Sequence, residues 1–256
     1  MKIMEKEYTF FKFTPSVWIV PSILVLLMWS VFYIDNVFNL DLNQFGILPR
    51  TTHGLTGVFA SPFLHGNLQH LVNNTLPIFI LSAALVYFYR DLSLKIIVFG
   101  ILFSGLLTWL IGRNNYHIGA SGLIYVLVSF IFFKGFFTQY YRLVALSFAV
   151  VLLYGGMVWY MFPDVDNTIS WEGHLAGFIT GLSLALYYKT PNYIEEIKYD
   201  WQRPGFDPMQ DPFMKRFDEN GNFVNPPKLE EIEVEYEEVF PIQNQTVVNY
   251  IYKEND

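Results

Sequence analysis

The sequence predicts an all-α polytopic membrane protein, a bundle of six transmembrane helices between a short N-terminal segment and an acidic C-terminal tail. Three observations lead there. Of 256 residues, 53% are hydrophobic and only 15% charged, against roughly 25% charged in ordinary soluble domains. The apolar residues gather into six runs within residues 16–189. Charge is as unevenly spread, because residues 1–189 hold 10 Lys or Arg against 8 Asp or Glu, while residues 190–256 hold 6 against 15.

The first run, about residues 17–34, reads VWIVPSILVLLMWSVFYI and contains no charge. At about 1.5 Å per residue it approaches the roughly 30 Å thickness of a bilayer core. Lys2, Lys6 and Lys12 precede it as they would precede a signal peptide. The run is longer than a typical signal core and no small-x-small cleavage site follows, so an uncleaved first helix is expected.

Further spans are expected at about Leu68–Tyr89, Leu92–Ile111, Ser121–Phe137, Leu143–Met161 and Trp171–Tyr188. A large soluble helical core would need polar faces on its outer helices, and these segments offer almost none. With both termini cytoplasmic, Lys2, Lys6, Lys12, Arg90, Lys95, Lys134, Arg142 and Lys189 collect inside, and only Arg50 and Arg113 lie outside. The positive-inside bias selects that orientation, in a plasma (inner) membrane with several passes. The one long outside loop, about residues 35–67, mixes Phe59, Phe63 and Leu64 with Pro49, Pro62 and glycines, which suits the membrane interface.

Three segments follow: a cytoplasmic N-terminal piece at 1–15, a membrane domain at 16–189 and a cytoplasmic acidic tail at 190–256. Prolines and like charges in the tail predict a mostly disordered chain with short ordered pieces. Alternation around Ile232, Val234 and Tyr236 would suit an edge strand or a docking segment. No basic cluster exists for nucleic acid, so the lipid bilayer and membrane proteins are the expected partners. With no cysteine, disulfides and thiolate metal sites drop out, and a covalent nucleophile must be an oxygen or an amine. No metal or cofactor is expected, and the sequence assigns no oligomeric state.

The chemistry is sought among polar groups set in apolar runs, since burying them unpaired costs several kcal/mol. The histidines are His53, His65, His70, His117 and His174. With an inside start, the second, fourth and sixth spans all begin at the outer face. His70 and Asn74 open the second, Ser121 the fourth and His174 the sixth. One hydroxyl, one imidazole base and two donors are thereby expected at comparable depth.

Ser121 sits in GASG between Gly119 and Gly122, where the chain can turn tightly and another helix can approach. At a helix N-terminus, free N–H groups and the helix dipole favour developing negative charge. By itself GxSG is weak evidence and reads first as a small-residue packing site, and His174 alone also reads as a packed histidine. Gly173, Gly177 and Gly181 recur every four residues and present a smooth face beside His174. A neutral imidazole within hydrogen-bond reach can take the serine proton during attack and return it to the leaving amine.

Tyr125 lies four residues after Ser121 on the same helix face and could hold the imidazole by stacking. His70 and Asn74, also four apart, either donate to an oxyanion or knot two helices together. His65 and Asn67 are expected to fix the junction between loop and helix. Glu172 adjoins His174 but points to another azimuth, so a Ser-His dyad without a carboxylate is the economical reading.

These residues resemble the rhomboid family of intramembrane serine proteases over roughly residues 55–185. The likeness rests on HGNLQHLVNN from His65 to Asn74, GASG from Gly119 to Gly122 and WEGHLAGFITG from Trp171 to Gly181. It implies a rhomboid-like six-helix bundle with Ser121 as nucleophile and His174 as base. His70 and Asn74 would lie on the oxyanion side, with His65 completing the HxxxxHxxxN pattern and Tyr125 packing on the base. The Trp-Arg pair of many members is absent from the first loop, whose arginine is Arg50 in LPRTT.

The implied activity is a serine endopeptidase that cleaves transmembrane or juxtamembrane segments of membrane proteins. An inactive member would keep helix recognition without the dyad, but Ser121 and His174 are both present. A proton-coupled transporter would predict an inverted repeat, which the sequence does not display. Metal-dependent hydrolysis would predict an HExxH pair, which is absent.

Overall fold

The computed structural model describes residues 11–163, 165, 169–189, 199, 201, 203, 205–218 and 220–224. The chain divides into two compact units, residues 1–195 and 196–256. Among the described residues the first unit is all helical, with seven α-helices and no strand. They are α1 (Ser16–Phe38), α2 (Gly57–Ala60), α3 (Leu68–Phe88), α4 (Arg90–Ile111), α5 (Ser121–Thr138), α6 (Tyr141–Tyr154) and α7 (Trp171–Tyr187). A 3-10 segment, Gly155–Met161, prolongs α6.

Among the described residues, five stretches are long and apolar enough to cross a membrane: α1, α3, α4, α5, and α6 with its extension. The expected fifth span, Leu143–Met161, is thus an α-helix only as far as Tyr154. At Gly155 and Gly156 the chain tightens into the 3-10 form, since two glycines carry weak helix propensity.

Local chemistry explains several ends. The Asn67 side chain caps α3 by accepting the His70 amide at 2.8 Å, and the Ser170 hydroxyl caps α7 by accepting the Gly173 amide at 3.2 Å. Such caps satisfy first-turn N–H groups that have no partner in the helix. Only Tyr89 separates α3 from α4.

The core centres on α5, which is apolar on every side and therefore needs neighbours all round. Ile124, Val126, Leu127, Phe130 and Ile131 of α5 pack with Leu81 and Leu85 of α3, Ile96 of α4, Leu143 of α6 and Leu184 of α7. α1 leans on α3, where Trp29 donates its indole N–H to the Thr75 hydroxyl at 3.1 Å.

α5 and α7 run parallel with their backbones in contact. A Cβ added at Gly177 would run into the Gly122 carbonyl and stand 2.9 Å from the Tyr125 Cβ, and one at Gly181 would stand 2.8 Å from the Ser129 Cβ. At the far end Lys134, expected simply as a cytoplasmic charge, is buried at 3% exposure. Its ammonium donates to the carbonyls of Ala185, at 3.1 Å, and Tyr188. It caps the last turn of α7, where a cation also meets the negative end of the helix dipole.

In the second unit the described residues form two single 3-10 turns, Pro208–Gln210 and Met214–Arg216, and an antiparallel bridge between Phe217 and Phe223. The Asp218 carboxylate accepts the amides of Asn220 and Asn222, and these bonds hold it below the usual carboxylate range. The segment around Ile232, Val234 and Tyr236 lies outside the described residues.

Candidate active site

Ser121 is the first residue of α5, so its amide has no acceptor in a preceding turn. The approach to it is set by Gly119, whose φ of 104° is a conformation that a side chain would strain. Gly119 also donates its amide to the Ser61 carbonyl at 2.8 Å. A Cβ at Gly119 would lie 2.5 Å from His70 Nε2 and 3.5 Å from Asn74 Nδ2. The His70 ring and the Asn74 amide therefore stand against the backbone two residues before Ser121.

His174 lies in the first turn of α7 and is buried. Its ring stacks on Tyr125 with centroids 4.3 Å apart and planes at 17°. Its Nδ1 is 2.9 Å from the Tyr160 carbonyl. A carbonyl only accepts, so Nδ1 carries the proton and Nε2 keeps a free lone pair. The acceptor that orients this imidazole is thus a backbone carbonyl of the 3-10 segment, which sequence reading had no means to find. The Tyr125 hydroxyl donates to the same segment, to the Met157 carbonyl at 2.5 Å.

The glycine contact between α5 and α7 brings these turns together. A Cβ at Gly122 would lie 3.6 Å from the Gly173 carbonyl. The residues beside Ser121 and beside His174 are therefore neighbours across the two helices. Gly177 and Gly181 face this seam, whereas a Cβ at Gly173 would meet the Ser170 hydroxyl at 3.0 Å and the Thr108 hydroxyl of α4 at 3.8 Å.

His65 is buried beneath this set, at 3% exposure. Its Nδ1 faces the Phe63 carbonyl at 3.4 Å, and its Nε2 lies 3.1 Å from Asn74 Nδ2. The Nδ1–H tautomer satisfies both contacts, with Nε2 accepting from the Asn74 amide. Burial, with a smaller push from His70, lowers the His65 pKa to about 4. It does more than join loop to helix, because it fixes which way the Asn74 amide points.

Two further contacts tie the loop before α5 to the start of α7. Glu172, at 1% exposure, accepts the Arg113 amide at 3.1 Å and faces Arg113 Nε at 3.4 Å. Arg113 also donates from Nη2 to the Ile169 carbonyl. His117 Nδ1 is 2.5 Å from the Ser170 hydroxyl, and His117 Nε2 is 3.0 Å from the Arg113 carbonyl. Burial lowers the His117 pKa, the Arg113 carbonyl and Glu172 oppose that shift, and the Arg113 charge adds to it. The sequence signal available was spacing, since His117 and Ser170 each stand four residues before Ser121 and His174.

Arg50 supports the outer end of α4. From a backbone with φ 58° it donates Nη1 to the carbonyls of Leu110 at 3.2 Å and Gly112 at 2.8 Å. Trp109 returns a bond from its indole to the Thr51 carbonyl at 2.8 Å. A tryptophan and an arginine thus meet at this junction from different elements. Beside Ser121 a small pocket is walled by Ser61, Ser104, Thr108, His117 and Ser170. Among the described residues no group of three or more His, Cys, Asp or Glu is arranged to hold a metal ion.

Comparison with known proteins adds two findings. A family model described as the rhomboid domain matches residues 52–190. Uncharacterized proteins of Mycobacterium bovis and Mycobacterium tuberculosis are each 33% identical over 177 residues, covering 65% of this chain and 73% of theirs. One of Mycobacterium leprae is 32% identical over 188 residues, covering 68% of this chain and 74% of its own.

Proposed function

This chain belongs to the rhomboid family, and we propose that it is an intramembrane serine endopeptidase that cleaves transmembrane or juxtamembrane segments of other membrane proteins through a Ser121–His174 dyad. One observation carries this reading. His174 stacks on Tyr125 of α5 and donates an Nδ1–H hydrogen bond to the Tyr160 carbonyl, so an Nε2 with a free lone pair is held against the helix that Ser121 begins.

In the reaction the Ser121 hydroxyl oxygen attacks the scissile carbonyl while Nε2 of His174 takes its proton. The tetrahedral oxyanion is met by the Ser121 amide, His70 and the Asn74 amide, whose orientation His65 sets. Protonated His174 passes its proton to the leaving amine, leaving an acyl-Ser121. Water then attacks by the same route and frees the serine. The pocket walled by Ser61, Ser104, Thr108, His117 and Ser170 supports a water supply beside the nucleophile. No cofactor or metal enters this sequence of steps.

The proposed topology has six spans, with α7 as the sixth. Its 17 residues stand at the lower end of spanning lengths, roughly 17–25 residues. It packs against α5 and α4 and leaves Ile179, Leu186 and Tyr187 exposed. Both termini are placed in the cytoplasm of a plasma (inner) membrane by the excess of inside Lys and Arg. The membrane domain is taken as residues 16–189, with a cytoplasmic segment at 1–15 and a cytoplasmic acidic tail at 190–256. A substrate helix must unwind locally before its backbone can be cut, because its amides are otherwise bonded within it.

The test is cleavage of a labelled helical substrate by purified, reconstituted protein. Ser121→Ala and His174→Ala are each expected to abolish it, and unchanged cleavage in both would overturn the dyad. A wild-type protein that binds the helix but neither cuts it nor forms an adduct at Ser121 with a serine-directed phosphonate would mark a recognition protein.

A further inference from the structure

We propose that His117 and Ser170 are positioning residues, forming a hydrogen-bonded clasp that sets the nucleophile and the base in register. This rests on the protease reading above and adds to it a pair outside the dyad and its oxyanion donors.

The tautomer follows from the acceptors. His117 Nε2 faces the Arg113 carbonyl at 3.0 Å, so Nε2 carries the proton and Nδ1 is a bare lone pair. The Ser170 hydroxyl at 2.5 Å from Nδ1 must then be the donor. Its oxygen still accepts the Gly173 amide at 3.2 Å, and the Ser170 carbonyl accepts the His174 amide at 3.2 Å. The direction of each bond in this chain is fixed, and none can reverse without losing a partner.

The clasp joins two segments that no helix continues. His117 is paired with Ile47 through both backbone groups, at 2.9 and 3.0 Å, which anchors it to the first loop. Ser170 caps α7. Below them the helices are pinned where Gly177 meets Gly122. Above that seam, the His117–Ser170 bond and the Arg113–Glu172 pair oppose splaying of the first turn of α7. Small displacements matter here, since misplacing a reacting group by about 1 Å can cost about 100-fold in rate.

Ser170 is also a helix cap, and the experiment must separate the two roles. Glycine at an N-cap costs only a few tenths of a kcal/mol relative to serine, whereas alanine costs about 1. Ser170→Gly, Ser170→Ala, Ser170→Thr, His117→Phe and the double variant H117F/S170G are compared in the full-length, reconstituted protein. The measurements are melting temperature, kcat and KM on a helical substrate, and the rate of phosphonate labelling at Ser121, which needs no substrate.

The clasp predicts that S170G and H117F each lose about 10- to 100-fold in kcat and in labelling rate, with KM within a few-fold. S170T restores both, and the double variant is no worse than either single one, because both remove the same bond. If S170G matches wild type while only S170A is impaired, the serine is a cap and the proposal falls. Multiplying losses in the double variant, or a loss that tracks melting temperature alone, also overturns it. A wild-type protein that is never labelled at Ser121 overturns the protease reading itself, and the clasp with it.

Discussion

The imidazole of His174 lies face to face with the ring of Tyr125, 4.3 Å away and tilted by 17°. That contact joins the two parallel helices at the level of the site. It also gives Tyr125 two separable roles, since its ring supports His174 while its hydroxyl bonds the Met157 carbonyl.

Replacing Tyr125 separates them. Tyr125→Phe keeps the stacked ring and is expected to cost less than about 10-fold in kcat. Tyr125→Ala removes the support and should cost about 100-fold, on the scale of a misplaced catalytic group. Cleavage assays on the two variants give the ranking, and equal losses would contradict it.

Gly119 is expected to tolerate no side chain. Gly119→Ala must leave a φ of 104° or push the His70 ring, which would lie 2.5 Å from the new Cβ. A fall of about 100-fold or more in kcat is expected, the scale of a lost oxyanion donor. Labelling of Ser121 by a phosphonate, whose anionic oxygen needs the same donors, should fall in parallel.

At the helix seam, Gly177→Ala should lower thermal stability by about 1–3 kcal/mol through overpacking against Gly122. Gly156→Ala provides the contrast, as nothing lies within 4 Å of its added Cβ. It should be neutral or stabilising by a few tenths of a kcal/mol, because the unfolded chain loses freedom. Melting of the purified variants checks both.

His65 gives stability a pH dependence of defined sign. Its folded pKa of about 4 lies below the ordinary 6.5, so the unfolded state binds the proton first. Stability from this group is present above about pH 6.5 and is lost as pH falls toward 4, by up to about 3 kcal/mol. The slope should flatten in His65→Gln, and melting temperature against pH measures it.

Lys134→Met should destabilise the bundle, because the carbonyls of Ala185 and Tyr188 lose their donor in a buried setting. Leaving such acceptors unmet costs about 1–3 kcal/mol. A melting temperature equal to wild type would show that the ammonium contributes nothing there.

The outlines of the bundle were legible because apolar length is a one-dimensional property. The starts expected near Leu68, Ser121 and Trp171 coincide with the first residues of α3, α5 and α7, since caps and glycines sit beside them. The end of α6 was not, because the change at Gly155 reflects how two weak helix formers settle against neighbours.

Sequence by itself determined the membrane class, the family and the spacing that puts Ser121, His174, His70 and Asn74 near the starts of their helices. Tertiary structure alone decided which lone pairs are free. The Tyr160 carbonyl selects the tautomer of His174, Phe63 and Asn74 select that of His65, and Arg113 and Ser170 select that of His117. Backbone carbonyls carry no side-chain identity, so no residue pattern announces them. They act only once folding brings them within hydrogen-bond distance of a ring nitrogen.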